Sequence, residues 1–404
     1  MTRNTKLVVG LIALVPLAAN ATNGYFQHGA SIKTQGMAGV RQAVSVDSIQ
    51  AASNPAAVTR LGDQVDAGLS YFKPDRSSSI SGNGAGLNGR YDGNSDSEFF
   101  IPQFGFTRAF DDKLSYGLAL YGNGGMNTSY ATTPFQAFGS SGPGGVDLAQ
   151  LFTTASLGYK LSQKQSIGLG LTPVYQKFSA EGIQSFGVIN PGYDHSTGFG
   201  LSLGWQGEIT DQLTLGARWS SRIDMDEFNK YRGLFAEQGD FDIPESYALG
   251  FALELNPQWT LMGDYERINY SEVASVGNRL TDPSLLGQDQ GPGFGWRDIN
   301  VYKLGVSYLA NNNLTVRAGI SHADQPIPTD QTFLNILAPG VVQDHISLGA
   351  TWDVNPSHSV SFAYTKALKE QVKGKGSIPT GFGGGEADIQ MDQDIFGIAW
   401  HYKF

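Results

Sequence analysis

Hydrophobic residues recur at every second position along most of this chain. Fourteen segments carry that period, near residues 65-76, 97-110, 113-124, 150-162, 164-180, 195-209, 212-226, 243-255, 257-271, 298-310, 313-324, 343-354, 357-370 and 391-404. Phe199, Leu201, Leu203 and Trp205 alternate with Gly200, Ser202, Gly204 and Gln206, and Ile346, Leu348, Ala350 and Trp352 with His345, Ser347, Gly349 and Thr351. A period of two puts alternate side chains on opposite faces of a strand, here one apolar and one small or polar. No helical period is sustained long enough to build a bundle. A soluble β-sandwich also alternates, but its apolar faces pack inward and one domain seldom needs fourteen strands of this length.

The connections fall into two length classes in strict alternation. Short turns sit at 110-113, 161-164, 209-212, 255-258, 309-313 and 354-357 and are rich in Asn, Asp and Pro, whereas the connections 77-96, 125-149, 181-194, 227-242, 272-297, 325-342 and 371-390 are long. This predicts an all-β fold, a 14-stranded antiparallel transmembrane β-barrel with short periplasmic turns, long extracellular loops and both termini on the periplasmic side. Closure is what satisfies every backbone hydrogen bond in lipid. Phe110, Tyr159, Trp219, Trp259, Trp352, Trp400 and Tyr402 flank the turns and are candidates for an interfacial aromatic girdle. The last strand ends on Phe404, an aromatic C-terminus that resembles the signal outer-membrane barrels present to the barrel-assembly machinery.

The N-terminus carries a matching address. Arg3 and Lys6 precede an apolar run from Leu7 to Ala19, and Ala19-Asn20-Ala21 is an A-x-A cleavage site, so residues 1-21 are expected to be a signal peptide. The run is shorter than the roughly 20 residues a spanning helix needs, and Pro16 interrupts it. The 404-residue chain has a net charge of −10 and no basic stripe, which argues against nucleic acid as a partner. Its lack of Cys excludes disulfides and thiolate metal sites and suits passage through an oxidising periplasm. Its 52 glycines suit a lumen where side chains converge.

Residues 22-64 show scattered Gly and no strand alternation, and the segment is too short for a core of its own. It is expected to fold into the barrel as an N-terminal hatch (plug), with residues 65-404 forming the wall; a mobile periplasmic extension is the alternative. Asn23-Gly24-Tyr25-Phe26, Gly36-Met37-Ala38-Gly39, Asp47-Ser48 and Ser53-Asn54-Pro55-Ala56-Ala57 resemble the hatch of the FadL family of outer-membrane transporters for long-chain fatty acids and hydrocarbons, which includes TodX-type aromatic-hydrocarbon channels. The family's recurrent Asn-Pro-Ala hatch motif falls at Asn54, Pro55 and Ala56.

The resemblance implies a monomeric barrel in the bacterial outer membrane, surrounded by lipid and lipopolysaccharide. It takes a hydrophobic small-molecule ligand from its extracellular loops to a pocket beside the hatch and releases it sideways through the wall. No cofactor and no enzymatic activity are expected, since no catalytic geometry or ligand spacing shows in the sequence. Candidate capture residues in the long loops include Phe186, Val188 and Ile189, then Phe228, Tyr231, Leu234 and Phe235, then Phe333, Leu334, Ile336 and Leu337. These clusters either meet ligand or pack on one another over the mouth. A fatty acid also needs a cation near its buried carboxylate. Strand parity turns Arg218, Lys303 and Arg317 into the lumen and Arg41 lies in the hatch; each either holds a ligand carboxylate or ion-pairs with Asp47, Asp264 or Glu266. Gly122-Asn123-Gly124-Gly125 is where broken pairing and a lateral opening are expected.

Two other classes are weaker. A hydrolase site would have to be built at Asp194-His195 or Asp344-His345, but neighbouring strand residues point to opposite faces and no nucleophile motif accompanies them. A general porin needs an open lumen, which a forty-residue plug would close. No His or carboxylate cluster shows metal-ligand spacing.

Overall fold

The computed structural model describes residues 23–404; the expected signal peptide, residues 1–21, lies outside the described residues. The strands are β1 (Gln64–Ser81), β2 (Gly89–Asp92), β3 (Phe99–Ala109), β4 (Leu114–Tyr130), β5 (Gly144–Lys160), β6 (Gln165–Glu181), β7 (Asp194–Glu208), β8 (Leu213–Ser220), β9 (Asp224–Met225), β10 (Ser246–Asn256), β11 (Trp259–Ile268), β12 (Ile299–Asn311), β13 (Leu314–Ala323), β14 (Asp344–Asn355), β15 (His358–Val372) and β16 (Glu386–Lys403). Fourteen of them pair antiparallel with their neighbours, and β1 closes on β16 in unbroken register from Gln64↔Lys403 to Ser81↔Glu386. The other two are short additions, β2 on β1 and β9 on β7.

The predicted strands reappear with revised ends. The first runs on to Ser81, the third to Tyr130, the fourth starts at Gly144 and the last at Glu386. These extensions, such as Ser77-Ser78-Ser79, rise past the apolar band, so their pairing leaves no apolar alternation to read. The predicted strand 212-226 instead stops at Ser220, after which Arg222 turns to meet the carboxylate of Asp242, its Nε 2.6 Å from Oδ2.

Outward positions such as Leu69, Leu157, Leu203, Leu249, Leu304, Leu348, Phe396 and Ile398 are exposed, whereas inward positions are small or polar. This inverts the pattern of a soluble protein and matches a wall facing lipid. Phe110, Tyr159, Trp259, Trp352, Trp400 and Tyr402 lie at the turn ends of their strands, whereas Trp219 lies at the opposite end of β8, where its Nε1 donates to Glu245; all but Tyr402 are among the exposed large side chains.

The segment from Asn23 to Gly62 fills the lumen. Helix α1 (Ile32–Gln35) is closed by a capping box of Ser31 and Thr34, Asp47 caps a 3-10 turn at Ser48–Ala52, and helix α2 (Val58–Leu61) leads into β1. α1 packs against β14, β15 and β16, with Ile32 seated on Ala363 and Ala399. The wall receives this plug through lumenal glycines. A Cβ on Gly168 would overlap Pro55, one on Gly216 would overlap the Gln42 carbonyl, and one on Gly319 would lie 2.5 Å from the Met37 carbonyl carbon. Gly105, Gly158, Gly204, Gly349 and Gly397 meet the plug in the same way.

Candidate functional site

Three of the four predicted cations gather at one carboxylate. Arg218 and Glu266 both lie opposite Ala248, on β8 and β11, so a small residue on β10 lets the two long side chains meet across it. Asp264 pairs in register with Lys303 on β12. From the hatch, Arg41 Nη2 reaches Glu266 Oε1 at 2.6 Å; Arg218 Nη2 stands 3.3 Å from the same oxygen, and Lys303 Nζ 2.8 Å from Oε2. Asp264 accepts the backbone N–H of Arg41 at 2.6 Å and of Gln42 at 3.2 Å. Three cations thus face two carboxylates in a buried site, and the Nε of both Arg41 and Arg218 is buried without a hydrogen-bond partner. Arg317 stands apart, its Nη1 donating to Thr351 Oγ1 at 2.7 Å.

The hatch motif is a clamp. Asn54 Oδ1 accepts the N–H of Ala56 at 3.2 Å, while Nδ2 donates to the carbonyls of Gln42 at 2.8 Å and Trp205 at 3.1 Å. Pro55 rests in the space left by Gly168 and Gly204, and Ala56 is fully buried.

One place in the wall lacks strand pairing. β3 pairs with β4 only from Phe104↔Leu120 to Ala109↔Ser115, and its residues Phe99 to Gln103 pair with β1 alone. Pairing resumes at Ser129, which exchanges hydrogen bonds with Gly93 and Ser95. Between these limits lies a window, and the hatch occupies its edge. Gln27 N–H donates to Asn123 O at 2.6 Å, Gly125 N–H donates to Tyr25 O at 3.0 Å, and Phe26 bridges Gly124. Asn123 is bulged out of register between β4 and β5. The irregular backbone expected at Gly122 to Gly125 is therefore present.

Above the hatch the long connections bury an aromatic mass. Phe228, Leu234, Phe235, Phe333 and Leu337 are buried, Phe186 is half-buried, and Ile189 is 81% exposed. Phe178 packs on Tyr231 at 4.7 Å and on Phe235 at 4.8 Å; Phe135 touches Phe186 and Phe333, and Phe382 touches Phe138, Phe186 and Phe333. Tyr25 of the hatch joins this mass through Tyr270, Phe241 and Trp296. Most capture candidates thus pack on one another, the second of the two arrangements expected for them.

The histidines take other partners than their sequence neighbours. His195 Nδ1 meets the Tyr175 hydroxyl at 2.6 Å, Asp344 pairs with His322 at 2.8 Å, and His345 stacks on His28 at 4.3 Å. Barrel closure assembles a chain that the sequence did not disclose, Asp66 to His401 Nδ1, then His401 Nε2 to Ser361 Oγ at 2.7 Å. Its order is that of a hydrolase relay. However, Ser361 is 1% exposed and bonded also to Thr351, and Asp66 accepts both the N–H and the hydroxyl of Ser48. The chain fastens the hatch to the seam between the first and last strands.

Comparison with known proteins agrees with this architecture. The long-chain fatty acid transport protein of an Escherichia coli O6:H1 strain is 24% identical over 90% of both chains. A Pseudomonas aeruginosa FadL homologue superposes with a TM-score of 0.72 at 17% identity, covering 94% of this chain and all of that one. The toluene transporter TodX of P. putida gives 0.69 at 18%, covering 93% and 99%. The family model described as outer membrane protein transport protein (OMPP1/FadL/TodX) matches residues 13–404, and the chain belongs to that family of outer-membrane transporters of hydrophobic substrates.

Proposed function

We propose that the protein carries long-chain fatty acids inward across the outer membrane, with the cluster at Glu266 receiving the carboxylate. The observation that carries this reading is the pair of buried, unpartnered Nε groups on Arg41 and Arg218 in a site with three cations and two carboxylates. A charged group is not buried without compensation, and an entering carboxylate supplies both an acceptor and the missing negative charge. The fatty-acid relative of E. coli points the same way.

In this scheme the apolar loop residues gather the acyl chain at the extracellular mouth, beginning with the exposed Ile189 and the half-buried Phe186. The chain passes through the aromatic mass to the hatch, and withdrawal of Tyr25 to Gln27 from β4 frees the window between β3 and β4 for sideways exit. The residues 22-64 act as hatch, the termini face the periplasm, and a single barrel suffices. Lipopolysaccharide blocks direct partition of such ligands, and a water-filled pore would not solvate them.

Neutral hydrocarbons form a second reading. It is favoured by Glu266 already pairing with all three cations, which leaves the aromatic route complete without a charged ligand. Growth on a long-chain fatty acid as sole carbon source tests the first reading, in a host lacking its own outer-membrane carrier and expressing this chain. Growth that is lost in Asn54→Ala supports fatty-acid import through the hatch; no growth with a folded barrel in the membrane rejects it in favour of hydrocarbons.

A further inference from the structure

We propose that Tyr121 is a positioning residue that holds the ligand carboxylate between the cation cluster and the wall window, making the route favour acids over neutral hydrocarbons. The inference rests on the fatty-acid reading above and names the group that connects its two halves. Tyr121 is the first residue of β4 beyond the last β3 pair, Phe104↔Leu120, so it stands at the lower edge of the window. Its side chain turns inward and is 8% exposed. The ring packs on Phe152 at 5.5 Å and belongs to the same apolar cluster as Tyr25 and Phe26. The ring faces its β5 partner Phe152, two residues from Thr154, and stands within electrostatic reach of the guanidinium groups of Arg41 and Arg218.

One side chain therefore borders the apolar route and the exit, within electrostatic reach of the cations. A phenol O–H donates readily to a carboxylate, and such a bond to a charged acceptor is stronger than one to a neutral hydroxyl. Thr154 Oγ1 already pairs with Thr172 Oγ1 at 3.0 Å, so a phenol O–H that turns to a ligand strands no group there. With its carboxylate shared between Tyr121 and the arginines, an acid has its chain aimed along the ring toward the window. A hydrocarbon meets only the ring face and gains nothing from the hydroxyl.

The test compares oleate and hexadecane binding to the purified full-length barrel, with folding checked by circular dichroism, in the parent, Tyr121→Phe and Arg218→Ala. The expected result is about a tenfold loss of oleate affinity in Tyr121→Phe, the scale of one hydrogen bond to a charged group, with hexadecane unchanged. Arg218→Ala should weaken oleate as well. Equal losses for both ligands in Tyr121→Phe would make Tyr121 mere packing and overturn the proposal. An oleate loss in Arg218→Ala alone would overturn it while the carboxylate site stands. Unchanged oleate binding in both variants would remove the carboxylate site itself, and the proposal with it.

Discussion

Asn54 closes three hydrogen bonds with one side chain, capping its own turn and holding the Gln42 and Trp205 carbonyls. Asn54→Ala should loosen residues 42 to 57 by about 2 kcal/mol, the combined scale of a lost cap and an unsatisfied buried carbonyl, seen as faster amide exchange there while wall amides keep their protection. A second residue gives a pH signature. Asp240, in the connection after β9, is pushed up to about 9 by burial first and by Asp242 and Glu237 next. Between the ordinary carboxylate range and that value the folded loop holds a proton that the unfolded chain has released, so its stability falls as pH rises. Protection of the amides around Phe241, taken relative to their intrinsic base-catalysed exchange rate, should fall from about pH 5 to about pH 9, and Asp240→Asn should flatten the dependence; protection indifferent to pH in the parent would contradict this assignment. At this scale the lumenal cations were legible, because parity alone turns Arg218 and Lys303 inward toward Asp264 and Glu266. The Asp66–His401–Ser361 chain was not, since it exists only once β1 meets β16 in one particular register.

For the strands, the sequence is readable wherever a face meets lipid and unreadable where both faces meet water. That is why β1, β4 and β16 outrun their expected lengths while their turn-side ends fall within two residues of expectation. The window had two local signals. Gly122 to Gly125 marked the irregular strand, and Pro102, which lacks an N–H, sits on β3 where that strand has lost its β4 partner, as a proline in a sheet must. What no local pattern announced is that the hatch itself bonds to the β4 edge of the gap. A Cβ on Gly124 would overlap the Tyr25 carbonyl oxygen, so Gly124→Ala should detach the Tyr25 to Gln27 segment from β4 without unfolding the wall. Proteolysis of folded protein should then cut near Tyr25 much faster than in the parent, while an unchanged rate would mean that the segment is held elsewhere.

The whole molecule is two layers of specificity, a wall whose strands follow from alternation and a plug whose shape follows from the glycines that face it. Each lumenal glycine removes the side chain that would otherwise fill the barrel, so the wall alone is wider inside than its strand number requires, and the hatch restores the packing. A porin and a plugged transporter with the same fourteen strands therefore differ in one measurable property. In planar bilayers the intact chain should pass little steady current, because residues 23–62 occupy the lumen and are fastened at Asp66, Asp264, Glu266 and Trp205. Removing residues 23–62, which lie wholly outside the wall strands, should leave the β1–β16 closure in place and produce stable, stepwise conductance through the emptied barrel. Large steady steps from the intact chain would make it a general porin, and failure of the shortened chain to conduct despite a folded wall would place the barrier in the loops above the hatch.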